Sequence, residues 1–157
     1  LAWADKVLET HADRRAIIDT HMDLGPIDEP ANEDDFTDAP KGKMNWIKIH
    51  GARGNSAVAM WNKCFRKHAN LFMIVCGDQS RSCALYLKSI GDNGNTVHEM
   101  LSDYGSVGPL RLLRFVPSEN TVHVITYDTT LRERTVATKY VPHRDSHQFS
   151  VSYAMRP

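Results

Sequence analysis

Residues 71–76 read LFMIVC, an unbroken apolar run between Asn70 and Gly77. So short a run cannot sustain a helix, and its Ile and Val favour extended backbone, so it predicts a strand covered on both faces. Such a strand belongs to a layered fold. Gly77 ends it, and Asp78, Gln79 and Ser80 follow at once. In open α/β sheets ligands bind outside the carboxyl ends of strands, which places these three residues at a functional rim. A plain turn built on Gly77 and Asp78 is the alternative.

Length and composition narrow the field. A chain of 157 residues is expected to form one domain with a real core. Its 19 basic and 19 acidic residues balance, giving no electrostatic case for a nucleic-acid or membrane partner. No apolar stretch approaches the roughly 20 residues of a membrane span. The opening LAWADKVLETHADRR lacks the continuous apolar region of a secretory signal. Because residue 1 is Leu, not Met, the expectation is a longer gene product. Cys64, Cys76 and Cys83 are too few and too unevenly spaced for a disulfide framework or a CxxC knuckle, and Cys76 reads as a small core residue.

Along the chain, Trp3, Val7, Leu8 and His11 or Ala12 recur at helical spacing and predict an amphipathic first helix. AIID at 16–19 predicts a short buried strand leading to Thr20 and His21. Residues 22–55 lose all periodicity and carry Pro26, Pro30 and Pro40 with the acids Asp28, Glu29, Glu33, Asp34, Asp35 and Asp38. They predict a long irregular loop over the site, its carboxylates more consistent with a solvated face than with a calcium loop. Trp46 and Ile47 are expected to anchor its return. A helix is predicted over 56–69, capped by Asn55 or Ser56, with Val58, Trp61, Cys64 or Phe65 and His68 on one face and Asn70 as its stop. Residues 83–128 read as a four-stranded antiparallel meander with turns at DNGN (92–95), GSVGP (105–109) and PSEN (117–120). Within it Arg111 and Arg114 are assigned to the solvent side, and His98 and His123 to strand faces. TVATKYV and FSVSYAM are expected to be edge strands.

Two groups then share one structural address. If the strands before His21 and Asp78 are parallel neighbours, their carboxyl ends bring an imidazole and a carboxylate to one rim, where the pair can ligate Zn, Mn or Fe. Two ligands do not complete a site; His50, Asp23, the acidic loop or another chain would have to add more. A Ser/His/Asp hydrolase lacks its GxSxG elbow here, and neither a phosphate-cradling glycine loop nor a dinucleotide fingerprint is present.

IIDTH (17–21), AMWNKCFRKHANLFMIVCGDQS (59–80), GDNGNTVHEMLSDY (91–104) and GPLRLLRFVPSENTVHVITYD (108–128) together resemble, in order and over nearly the whole chain, the carboxyl-terminal half of a calcineurin-like metallophosphoesterase, particularly its bacterial secreted or cell-surface branch. The resemblance implies an α/β fold: part of a metallophosphoesterase-like sandwich, with one or two helices on a mostly antiparallel sheet, forming a single half-domain over 1–157. It implies two divalent metals at strand ends activating water against phosphate esters. His21 matches the ligand of the family's TH or GH segment; Asp78 stands at the first histidine of its glycine-histidine-x-histidine motif and Ser80 at the second. Asp can coordinate through oxygen, whereas neutral Ser is a poor ligand. The family's aspartate-x-histidine, glycine-aspartate-x-x-aspartate and asparagine-histidine motifs belong to an amino-terminal half that this sequence lacks.

Two readings follow from the resemblance. One is a metal-dependent phosphomonoesterase or phosphodiesterase acting on a small phosphate ester, assembled with a missing amino-terminal half or as a homo-oligomer, with His21 and Asp78 as metal ligands. The other is a degenerate, non-catalytic interaction or structural module.

Overall fold

The structure, a computed structural model, describes residues 1–25, 27, 32, 34–42, 54–78, 83–105 and 108–153. In chain order it contains α1 (Ala2–Thr10), β1 (Ala16–Thr20), the single turn α2 (Asp34–Thr37), α3 (Ala57–Lys63), β2 (Leu71–Cys76), β3 (Cys83–Ile90), β4 (Thr96–Asp103), β5 (Pro109–Val116), β6 (Thr121–Asp128), β7 (Glu133–Arg134) and β8 (Gln148–Ser152). The strands form two sheets.

The first sheet has the order β1-β2-β4-β3, with β1 and β4 parallel to β2 and β3 antiparallel to β4. The second is antiparallel: β6 pairs with β5 along one edge and with β8 and β7 along the other. The predicted single meander over 83–128 is therefore corrected. The hairpins β3–β4 and β5–β6 form as their turn sequences predict, but they lie in different sheets, and β4 lies beside β2 in parallel. Local turn chemistry specifies each hairpin; which sheet it joins depends on long-range burial.

β2 occupies the centre, as its apolar run requires, with five of its six residues buried. Its pairing with β1 jumps from Leu71 to Met73, leaving Phe72 as the extra residue of a bulge. Phe72, Met73 and Val75 consequently pack with Met100 of β4 against Val122, Val124 and Val151 of the second sheet. Ile74 and Leu71 face the other way, joining Val97, Leu8, Cys64 and Phe65 beneath the helices. The layers are helices and loop, mixed sheet, antiparallel sheet. The α/β class holds, with few helices and two small sheets.

The helices differ from expectation in which faces they bury. On α1 only Leu8 is buried, with Ala4 packed beside it, while Trp3 is 79% exposed and Val7 also faces outward. Ala4 and Leu8 form one i,i+4 stripe, and Trp3 and Val7 lie one residue, about 100°, around the helix from it. Asn70 does not stop the helix predicted over 56–69, which ends earlier; it instead donates to the carbonyls of Leu8 and His11 at 3.2 and 3.0 Å, satisfying the end of α1. Ser56 caps α3 by accepting from the Ala59 amide. The helix ends at Lys63 and is followed by a 3₁₀ turn, Phe65–Lys67, so the predicted run to residue 69 is too long.

The loop predicted over 22–55 is partly built into the core. Met22, Asp23, Leu24, Phe36 and Ala39 are buried, Leu24 bridges Lys41, and α2 starts at a reciprocal cap in which Asn32 Oδ1 accepts from Asp34 and Asp35 Oδ2 accepts from Asn32. Trp46, Ile47 and His50 lie outside the described residues. In the tail, β8 is the expected strand, whereas TVATKYV contributes no strand of its own beyond the two-residue β7 preceding it.

Candidate functional site

Because β1, β2 and β4 run parallel, their carboxyl ends share one edge. The Gly77 amide donates to the His21 carbonyl at 3.1 Å, clamping the ends of β1 and β2 together. Asp78 adopts the left-handed backbone region, φ 63°, which Asp tolerates better than most residues, and its Oδ2 comes 3.2 Å from His21 Nε2. Two donors bound to one ion at about 2.0–2.2 Å stand roughly 3.0–3.5 Å apart at octahedral or tetrahedral angles, so this spacing suits two adjacent ligands. The imidazole is 66% exposed. The fit is that of part of a site, two donors where at least four are needed.

Of the other groups considered for this rim, Ser80, Gln79 and His50 lie outside the described residues, as do Asp28, Glu29 and Glu33. Asp34 and Asp38 are exposed. Asp23 is not available, because its carboxyl is fully buried under the mixed sheet with Glu99 of β4. Lys41 ion-pairs with Glu99 and stands 3.7 Å from Asp23, with its ammonium 4.6 Å from the Trp61 ring centroid. Burial first, then neighbouring Glu99, pushes the Asp23 carboxyl well above the usual carboxylate range, favouring its protonated form.

Beside the rim, between the sheets, lies a cavity of about 610 Å³ lined by Asp19, Gly77, Ser102, Asp103, Tyr104 and Arg111 among others. Arg111, expected on the solvent side, instead turns its guanidinium inward, donating to the carbonyls of Leu101 (3.2 Å) and Ser146 (2.7 Å) and to Tyr104 Oη (3.2 Å). Burial lowers its pKa from the usual arginine value. It ties β4 to the turn before β8, which strand alternation alone cannot reveal. His98 and His123 do occupy strand faces, the first buried and bonded to Tyr86 and Ser152, the second half-buried and bonded to Ser150.

A second cluster lies at the opposite end of the mixed sheet. Asp5 of α1, Cys64 after α3 and His68 before β2 bring their donor atoms within 4.8 Å of one another, a set able to coordinate a metal ion. His68 Nε2 is 2.8 Å from Asp5 Oδ1, and Cys64 Sγ is 3.6 Å from the same oxygen and 3.8 Å from that ring nitrogen. The bond with His68 lowers the Asp5 carboxyl below its usual value, while burial, then the Asp5 charge, pushes the thiol up to about 11. A nucleophilic triad is excluded here, since the base would have to use one ring nitrogen for the thiol and the other for the carboxylate, and both partners share Nε2. The sequence carries half of this signal: Cys64 and His68 are four apart, a turn's spacing that equally predicts one face of a helix. Asp5 is 59 residues away from Cys64 and joins only through the packing of α1.

Among the described residues no helix is long and apolar enough to cross a membrane, which leaves β-barrels unaddressed. No family model matches the chain, and no solved structure matches it. The chain is similar to a Bacillus subtilis (strain 168) protein described as uncharacterized protein YvnB, 25% identical over 168 aligned residues that include all of this chain. It spans 11% of that relative's length.

Proposed function

We propose that this chain is the carboxyl-terminal half of a divalent-metal-dependent phosphoester hydrolase, in which His21 and Asp78 form one side of a metal centre completed by the rest of the gene product or by a second subunit. The observation that supports it is the meeting of His21 Nε2 and Asp78 Oδ2, 3.2 Å apart, at the ends of adjacent parallel strands. The chemistry such a centre supplies is activation of water and neutralisation of phosphate charge. The chain's own part is positional: the Gly77 to His21 backbone bond holds the two side chains on one edge, and the neighbouring cavity offers room for the organic group of an ester.

A second reading, a non-catalytic module, draws on the presence of Asp78 and Ser80 where the resembled family has histidines. Hydrolysis of bis(4-nitrophenyl) phosphate by the whole gene product, with and without Mn²⁺, separates the two. The hydrolase reading expects Mn²⁺-dependent turnover that His21→Ala and Asp78→Ala each reduce by more than the roughly 10–100-fold typical of losing a supporting group. Absence of turnover in the fully metallated product would reject catalysis and leave the module.

A further inference from the structure

We propose that Asp5, Cys64 and His68 form a zinc site that clasps helix α1 to the lead-in of strand β2, separate from the rim of His21 and Asp78. The donor set is the first argument. One thiol, one imidazole and one carboxylate make the N/S/O combination that suits zinc, whereas magnesium and calcium prefer oxygen alone.

Geometry is the second. Around a tetrahedral zinc, with bonds of about 2.0–2.3 Å, ligand atoms stand roughly 3.3–3.7 Å apart. The pairs Cys64–Asp5 at 3.6 Å and Cys64–His68 at 3.8 Å already lie near this range, and His68–Asp5, at 2.8 Å as a hydrogen bond, has to open by about half an ångström. The three donors come from three segments and converge on one point, so one ion replaces the shared contacts at Asp5 Oδ1.

The surroundings are the third. Cys64 packs with Leu8, Phe65 and Leu71 in the core, and His68 is also buried. The Asp5 side chain is 38% exposed, which gives the ion a path in and leaves the fourth position to water. Binding exchanges the thiol proton for zinc, releasing it to solvent. Since the ion ties α1 to the sheet, it binds the folded chain and not the unfolded one, and zinc raises the melting temperature.

Cobalt substitution is the test. Co²⁺ added to the chelator-treated chain should give a thiolate-to-cobalt charge-transfer band and the intense visible bands of a tetrahedral ion, with zinc displacing both. Cys64→Ala should abolish the charge-transfer band, Asp5→Asn should weaken the Co²⁺ binding that this band reports at least about tenfold, and His21→Ala should leave the charge-transfer band unchanged. A wild-type chain without a thiolate band overturns the proposal, as does a band that survives Cys64→Ala. The wild-type spectrum decides even if a variant fails to fold, and a band that disappears with His21→Ala moves the ion to the rim.

Discussion

Lys41 compensates a buried carboxyl pair in an otherwise apolar face. Glu99 and Asp23 are both fully buried, and Lys41 is the cation that reaches them among the described residues. Lys41→Met leaves the Glu99 carboxyl buried without its ion partner, and such truncations cost about 3–5 kcal/mol. Urea unfolding of Lys41→Met should show that loss, with Lys41→Met/Glu99→Gln recovering part of it; an unchanged midpoint would show that the pair adds nothing. The buried imidazoles give a second prediction at this scale. His147 Nε2 bonds the Val141 carbonyl and His98 Nε2 the Ser152 carbonyl, and burial lowers the pKa of each. A depressed histidine binds its proton more readily when unfolded, so stability is present above about 6.5 and lost as pH falls below it. Melting temperature should drop between about pH 7 and about pH 5.5, and His147→Gln should flatten that slope. Identical slopes in both proteins would contradict this. None of these partnerships was legible in the sequence, because Asp23, Lys41 and Glu99 are far apart along the chain and each reads as an ordinary charged residue.

At the scale of elements, strands were more legible than helices. The extent of β2 and the DNGN turn are strong local signals, and both are realised. Helix α1 formed where predicted but rotated, since periodicity gives the existence of a face and not which of two neighbouring stripes is buried. What docks it is Leu8 together with Asn70, whose amide bonds the last carbonyls of the helix. Asn70→Ala should therefore release α1 without unfolding the sheet. Hydrogen exchange should accelerate at α1 amides while β2 and β4 retain protection; uniform acceleration would mean that α1 and the sheet open as one unit.

For the whole molecule, two adjacent parallel strands bring His21 and Asp78 together, and β1, one of them, lies at the edge of its sheet with Ile17 48% exposed. An edge and an apolar side chain of that kind are what a complementary half would cover. The site's address was partly readable: His21 follows β1 and Asp78 follows β2 after Gly77, but β1, expected to be buried, has no buried residue, and that the two strands are neighbours was supplied by the topology. Binding of Mn²⁺ to the whole gene product, followed by electron paramagnetic resonance, tests the rim most directly. The wild-type product and Cys64→Ala should take up Mn²⁺, with His21→Ala and Asp78→Asn each weakening that uptake. Uptake that both rim substitutions leave unchanged, or none by the wild-type product at millimolar Mn²⁺, would contradict a metal-binding role for His21 and Asp78.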